Sequence, residues 1–303
     1  MSRIRSTIIP LIIMAILPLF AGCGATDTDG RVLAVSIPPQ KAILDSLSCG
    51  RFEVVCLIRE GSDAETSEPD LRQMVQLENA ETYFSLGGLP FEQSWIGKIE
   101  ASFPHLQIVN SAENMDLITG HHCGNHHHHH HHHHEHGDDH GDEFDPHVWT
   151  SLRNAKTMAT DMYRELLRLD PVGKAVYDSA FVRLSRRLDV ADDSIRKILK
   201  PCRNRVFMTW HPSLGYFAKD YDLTQLSVQQ EGKEVSPHRL ADAIAECKEH
   251  HPAVLFCDEA ASAAPETSML QSDLGIKAYN LRLMSPDFVK QLIGAAKAIS
   301  ENQ

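Results

Sequence analysis

Three residues in proline-stiffened loops carry side chains that bind metals: Glu65 in Gly61-Ser-Asp-Ala-Glu65-Thr-Ser-Glu-Pro69, His147 in Asp145-Pro-His147-Val-Trp149, and His211 in Phe207-Met-Thr-Trp210-His211-Pro212. Two imidazoles and a carboxylate suit zinc, copper or nickel better than a hard cation. A residue before proline is held extended, so His211 should project from the end of its strand. Trp149 and Trp210 are expected to form an apolar outer shell, and Asp145 to orient an imidazole.

A second supply of imidazole lies close by. Of the 19 histidines, 13 fall between His121 and His140. They are His121, His122, the unbroken run His126, His127, His128, His129, His130, His131, His132, His133 and His134, then His136 and His140, interspersed with Glu135, Asp138, Asp139, Asp142 and Glu143. Imidazole is largely neutral above its free pKa of about 6.5 and is then able to ligate. The tract from Asn110 to Asp145 has no apolar periodicity and reads as a loop that binds transition metals weakly and multiply.

The elements that must position these residues read as two α/β halves. In the first, β-rich runs at Val32–Ile37, Glu53–Ile58, Thr82–Leu86 and Leu106–Val109 alternate with helices at Pro38–Ser48, from Pro69 to about Ala80, and at Pro90–Phe103. In the second, runs at Arg205–Thr209, Thr224–Val228, Ala253–Cys257 and Lys277–Leu281 alternate with helices at Pro212–Tyr221, Ser236–His251, Glu266–Leu274 and Ser285–Ser300. Such alternation predicts an α/β fold of two lobes, each a mainly parallel sheet flanked by helices. Residues 151–200 carry no strand signal; Ser151 is an N-cap candidate, and Pro171–Leu199 reads as one long rigid helix joining the lobes. Candidate boundaries are an N-terminal lobe over 31–150 containing the histidine-rich loop 110–145, the connecting helical segment 151–200, and a C-terminal lobe over 201–303.

Residues 1–22 read as an export signal: Arg3 and Arg5, the apolar run Ile8–Phe20, then Ala21 and Gly22 before Cys23. The run is too short for a membrane span of roughly 20 residues. Leu19-Phe20-Ala21-Gly22-Cys23 resembles a bacterial lipoprotein box, which implies cleavage before Cys23 and lipid attachment to its thiol. Cys49, Cys56, Cys123, Cys202, Cys247 and Cys257 have no CxxC spacing, and sequence does not choose between pairs and buried thiols. A formal net charge of −12 argues against a nucleic-acid partner.

Taken together, the motifs resemble the periplasmic or lipid-anchored solute-binding proteins of zinc and manganese ABC importers. The resemblance is carried by Gly61–Pro69, Asp145-Pro-His147-Val-Trp149 with Asn154-Ala155, Trp210-His211 with Gly215-Tyr216-Phe217-Ala218, and Ser236-Pro237 with Leu240. A histidine-rich insertion before the Asp-Pro-His stretch points to the zinc branch. The resemblance implies metal bound in the cleft between lobes, Zn2+ first and Mn2+ or another divalent transition metal as the alternative. It also implies a membrane permease as partner. Glu65 stands where the family usually has a ligating His, and Arg282 stands nearest the family's acidic fourth ligand. Two arrangements follow: Glu65, His147 and His211 form the site with water or a loop imidazole, or Glu65 pairs with Arg282 and the site is weakened.

The expected function is therefore extracytoplasmic capture of zinc by a monomeric, membrane-anchored lipoprotein that is not an enzyme. The alternatives are a histidine-rich zinc buffer or adhesin with a degenerate interlobe site, and a zinc metallohydrolase. Against the last, the chain has no His-Glu-x-x-His helix, although Glu231, Asp258 and Glu259 are available carboxylates.

Overall fold

The computed structural model describes residues 30–119, 144–229 and 235–303. Cys23, the histidines of the tract, Cys123 and Glu231 lie outside the described residues. Strands β1 (Val32–Val35), β2 (Glu53–Cys56), β3 (Ala80–Ser85) and β4 (Gln107–Asn110) form one parallel sheet in the order β2-β1-β3-β4. Strands β5 (Val206–Thr209), β6 (Thr224–Ser227), β7 (Val254–Cys257) and β8 (Lys277–Asn280) repeat that order as β6-β5-β7-β8, again all parallel. Every residue of β1 and β7 is buried, as unbroken apolar runs must be when helices cover both faces.

The first half carries helices α1 (Pro38–Ser48), α2 (Leu71–Gln76) and α3 (Pro90–Ser102), and α4 (Leu152–Leu169) and α5 (Lys174–Leu199) connect the halves. The second half carries α6 (Gly215–Asp220), α7 (Pro237–His250), α8 (Glu259–Ser262), α9 (Pro265–Leu274) and α10 (Phe288–Glu301). Ser151 caps α4 as expected: its Oγ accepts from the Asn154 amide at 3.0 Å. The same hydroxyl donates to Asp220 Oδ2 of α6 at 2.5 Å, so one serine fixes the start of α4 and ties it to the second half. Helix α5 buries Tyr177, Ala180, Leu184, Leu188, Ala191, Ile195 and Leu199, a spacing of three and four that keeps one face inward. At 26 residues and 1.5 Å per residue it spans about 39 Å.

Four expectations need correction. Pro69 does not open a helix running to Ala80. The helix is shorter and is capped by Asp70, whose carboxylate accepts from Gln73 N at 2.9 Å while Gln73 Oε1 accepts from Asp70 N at 2.7 Å; α2 ends at Gln76 and tightens into a 3-10 turn over Leu77–Asn79. Pro212 is not helical either, since the His211 carbonyl accepts from Ser213 N at 2.7 Å and holds a tight turn, so α6 begins at Gly215. The last helix starts at Phe288 rather than Ser285, and α8 is an additional turn of helix capped by Asp258, whose Oδ1 accepts from Ala261 N at 2.7 Å. Finally, the beginning of the stretch expected to be structureless is built into the fold: Ser111 and Ala112 are buried, and Leu117 and Ile118 pack against the core. Among the described residues Cys49, Cys56, Cys202, Cys247 and Cys257 are free thiols.

Candidate metal centre

Each candidate side chain is delivered by a loop or strand end whose backbone is otherwise committed. The loop after β2 turns at Gly61, whose φ of +77° favours glycine. Gly61 N donates to the Met284 carbonyl at 3.0 Å, which fastens this loop to the segment after β8. Asp63 Oδ1 then accepts from the amides of Glu65 at 2.7 Å and Thr66 at 2.9 Å, an Asx turn that fixes the backbone under Glu65. His211 leaves β5, the strand at which the order of the second sheet reverses. Ligands of open α/β sheets collect at such a point. Its approach is pinned by Trp210 N donating to the Phe256 carbonyl at 2.7 Å.

His147 is held most tightly. Its ring and its backbone amide both donate to Asp145 Oδ1, at 2.8 Å and 2.9 Å. A proton on Nδ1 facing Asp145 leaves the Nε2 lone pair for a ligand. Asp145 is itself placed by the second half of the chain: the Tyr216 hydroxyl donates to its carbonyl at 2.7 Å and accepts from Ile118 N at 3.2 Å. Thr119 and Phe144 form an antiparallel bridge directly before it, so the two ends of the histidine-rich segment meet beside His147. Gly88 makes room there, since a Cβ on it would lie 2.5 Å from the Phe144 ring.

Glu65, His147 and His211 converge, with one ligand atom from each lying within 4.8 Å of the others. Glu65 Oε1 is 3.2 Å from His211 Nε2 and 3.9 Å from His147 Nε2. A tetrahedral ion with bonds of about 2.0–2.2 Å sets its ligand atoms about 3.4 Å apart, and the two carboxylate–imidazole distances lie on either side of that value. His211 Nε2 is buried yet has no directed hydrogen bond; the carboxylate is close enough but out of line with it. A lone buried nitrogen of this kind fits metal ligation. Burial works against a charged His147 ring, but the hydrogen bond to Asp145 and the nearby charges of Asp145, Glu65 and Asp63 outweigh it and raise its pKa. Negative potential at this point favours any cation, a proton or a metal ion.

Among the described residues Glu65 pairs with the two imidazoles, and no ion pair joins it to Arg282. Arg282 lines the adjoining cavity of about 510 Å³ together with His147, His211 and Asp258. Of the two tryptophans, Trp149 is fully buried with its ring 5.2 Å from His147, whereas Trp210 packs into the second half's own core beside Met208 and Val228. The sequence does not single out Asp63, and it offers Tyr216 only within the Gly215-Tyr216-Phe217-Ala218 stretch.

A family model described as zinc-uptake complex component A, periplasmic, matches residues 33–293. The high-affinity zinc uptake system protein ZnuA of Bacillus subtilis (strain 168) is 26% identical over 278 residues, covering 88% of this chain and 85% of that protein. The zinc-binding protein AdcA of Streptococcus pyogenes serotype M3 is 25% identical over 75% of this chain, which spans 45% of AdcA. A crystal structure of ZnuA superposes with a TM-score of 0.77 at 26% identity, covering 90% of this chain and 98% of that one. A zinc-bound ZnuA deletion mutant gives 0.75 at 27% identity, with 90% and 97% covered.

Proposed function

The chain belongs to the family of periplasmic zinc-uptake complex components, and from that premise we propose that it captures zinc outside the cytoplasm and delivers it to an ABC-transporter permease. The carrying observation is the convergence of Glu65, His147 and His211 at the junction of the two sheets. In this reading the three side chains ligate the ion through Glu65 Oε1 and the two Nε2 atoms, and Asp145 holds His147 in register. Two imidazoles and one carboxylate favour zinc over manganese. The ion is cargo, so the site needs reversible affinity rather than a closed four-residue cage.

Lipid on Cys23 would keep the protein at a membrane surface near its permease. The tract from His121 to His140 would gather ions beside the cleft, since its ends are joined at the Thr119–Phe144 bridge. We expect a monomer with lobes bounded as the sequence suggests, and no hydrolytic activity; Asp258, one proposed base, already accepts the Ala261 amide as a helix cap.

The test is zinc titration of the protein from residue 24 onward, by competition with a chromophoric chelator. Wild type should bind one ion tightly, and His211→Ala should lose that site. Unchanged tight binding in His211→Ala would remove the cleft from the mechanism and leave the tract as a zinc buffer.

A further inference from the structure

Ile118 and Asp145 stand opposite one another, next to the antiparallel bridge of Thr119 and Phe144. An opposed pair at this place in an antiparallel ladder exchanges two backbone hydrogen bonds. Only one is made directly, from Asp145 N to the Ile118 carbonyl at 2.9 Å. The return bond passes through a side chain: Ile118 N donates to the Tyr216 hydroxyl at 3.2 Å, and that hydroxyl donates to the Asp145 carbonyl at 2.7 Å. Tyr216 is buried, and its hydroxyl keeps the Ile118 amide and the Asp145 carbonyl out of direct contact. It does so at the residue whose carboxylate orients His147.

The inserted side chain comes from the second half, on α6, in the segment that also carries His211. The turn between them is closed by Ser213 N on the His211 carbonyl, and Leu214 N donates to Gln225 Oε1 of β6 at 2.7 Å. Gly215 backs onto the Asp145 carboxylate, since a Cβ there would lie 2.7 Å from Oδ2. Asp145 therefore meets the second half twice, its carbonyl under Tyr216 and its carboxylate beside Gly215, while Oδ1 accepts from the ring and amide of His147. The further ties of α6, Lys219 to Asp116 at 2.8 Å and Asp220 to Ser151 at 2.5 Å, end on other residues.

We infer that Tyr216 is a positioning residue for metal capture. Its hydroxyl holds the Ile118–Asp145 pair one direct bond short, and so sets the Asp145 carboxylate and with it the His147 ring. Without the hydroxyl, the Ile118 amide and the Asp145 carbonyl each lose a partner, and closing on one another restores both. That closure moves Asp145 away from the place His147 needs. The alignment of one ligand is thus supplied by the segment that delivers another, and Gly215 leaves the carboxylate its room. The inference rests on the zinc site at Glu65, His147 and His211.

Zinc affinity is measured at pH 8 by chelator competition for wild type, Tyr216→Phe, Gly215→Ala and Lys219→Ala. The first two substitutions are measured again in Asp145→Ala, and urea unfolding follows the stability of every variant. Tyr216→Phe and Gly215→Ala should each bind about tenfold more weakly than wild type, the low end of what an outer partner contributes. Lys219→Ala should stay within twofold. In Asp145→Ala, where the carboxylate through which both act is gone, each should cost less than twofold further. A purely structural loss shifts unfolding without this dependence on Asp145. Gly215→Ala removes no hydrogen bond, so it carries the test should Tyr216→Phe fold poorly. Wild-type affinity in both variants, the same tenfold loss with and without the Asp145 carboxylate, or an equal loss in Lys219→Ala would overturn the positioning role. Absence of tight zinc binding by wild type would instead overturn the zinc site.

Discussion

Removing the carboxylate of Asp145 perturbs His147 in two opposite ways, and their balance can be predicted. Both hydrogen bonds that fix His147, from its ring at 2.8 Å and its amide at 2.9 Å, end on the same Asp145 oxygen. In Asp145→Ala the ring is free to turn, and its proton can move to Nε2, where it blocks ligation. Loss of such an outer partner costs roughly 10–100-fold in metal affinity, or about 1.4–2.7 kcal/mol. Against this, Asp145 also helps to raise the His147 pKa, so the variant holds its competing proton less firmly. That benefit exists only where His147 of the wild type is protonated. The affinity ratio of wild type to variant should therefore be largest near pH 8 and shrink toward pH 6. Chelator-competition titrations at pH 6, 7 and 8, with thermal melts to confirm folding, read this directly; Tyr216 bonds to the Asp145 backbone, which the substitution keeps. Equal affinity at pH 8, or a ratio independent of pH, would refute the orienting role.

Three further outcomes are expected. Glu65→Gln keeps the shape but removes the anionic ligand that faces both imidazoles, so zinc affinity should fall at least a hundredfold; a tenfold loss or less, by the same titration, would remove Glu65 from the ligand set. Deleting residues 121–140 should leave the single tight site and abolish the weak additional ions, which equilibrium dialysis counts. Asp170 is buried and bonded to Arg51, Tyr177 and the Gly173 amide, and the Arg51 bond foremost lowers its pKa from 3.8 to about 2. Because the folded-state pKa is lowered, the stabilisation is present above about pH 4 and is lost as pH falls through 2. It is worth about 2 kcal/mol, so urea unfolding at pH 7 should show Asp170→Asn weaker by about that amount, with the gap closing toward pH 2.

Local signals with one physical cause were readable from the chain. Pro38 and Pro90 mark helix starts because proline suits a first turn, and Ser151 marks α4 because its hydroxyl satisfies a free amide. The apolar runs of β1 and β7 read as doubly buried strands because they are short, β-rich and alternate with helices. The site was legible as a set of loops, since imidazole and carboxylate beside proline announce themselves. What stayed hidden depends on competition between distant groups. Pro69 loses the helix start to the reciprocal bonds of Asp70 and Gln73. Whether Glu65 faces Arg282 or the imidazoles is decided by the Asx turn at Asp63 and by the Gly61–Met284 hydrogen bond. Trp149 and Trp210 look alike in sequence, yet only the former follows a histidine inside the junction.

Helix α5, about 39 Å of unbroken backbone hydrogen bonding, bears on how an ion would leave. A strut of that kind resists bending, so the two sheets cannot swing widely apart to let the cargo go. Release then becomes stepwise ligand exchange, beginning where the ligand-bearing backbone is least enclosed. That is the loop at 59–68, where Arg59, Glu60, Gly61 and Asp63 are exposed, rather than the buried His147. Hydrogen exchange should show the loop amides opening far faster than those of α5, and zinc should slow the former while leaving the latter unchanged. The permease would have to pull one carboxylate away, not pry two lobes open.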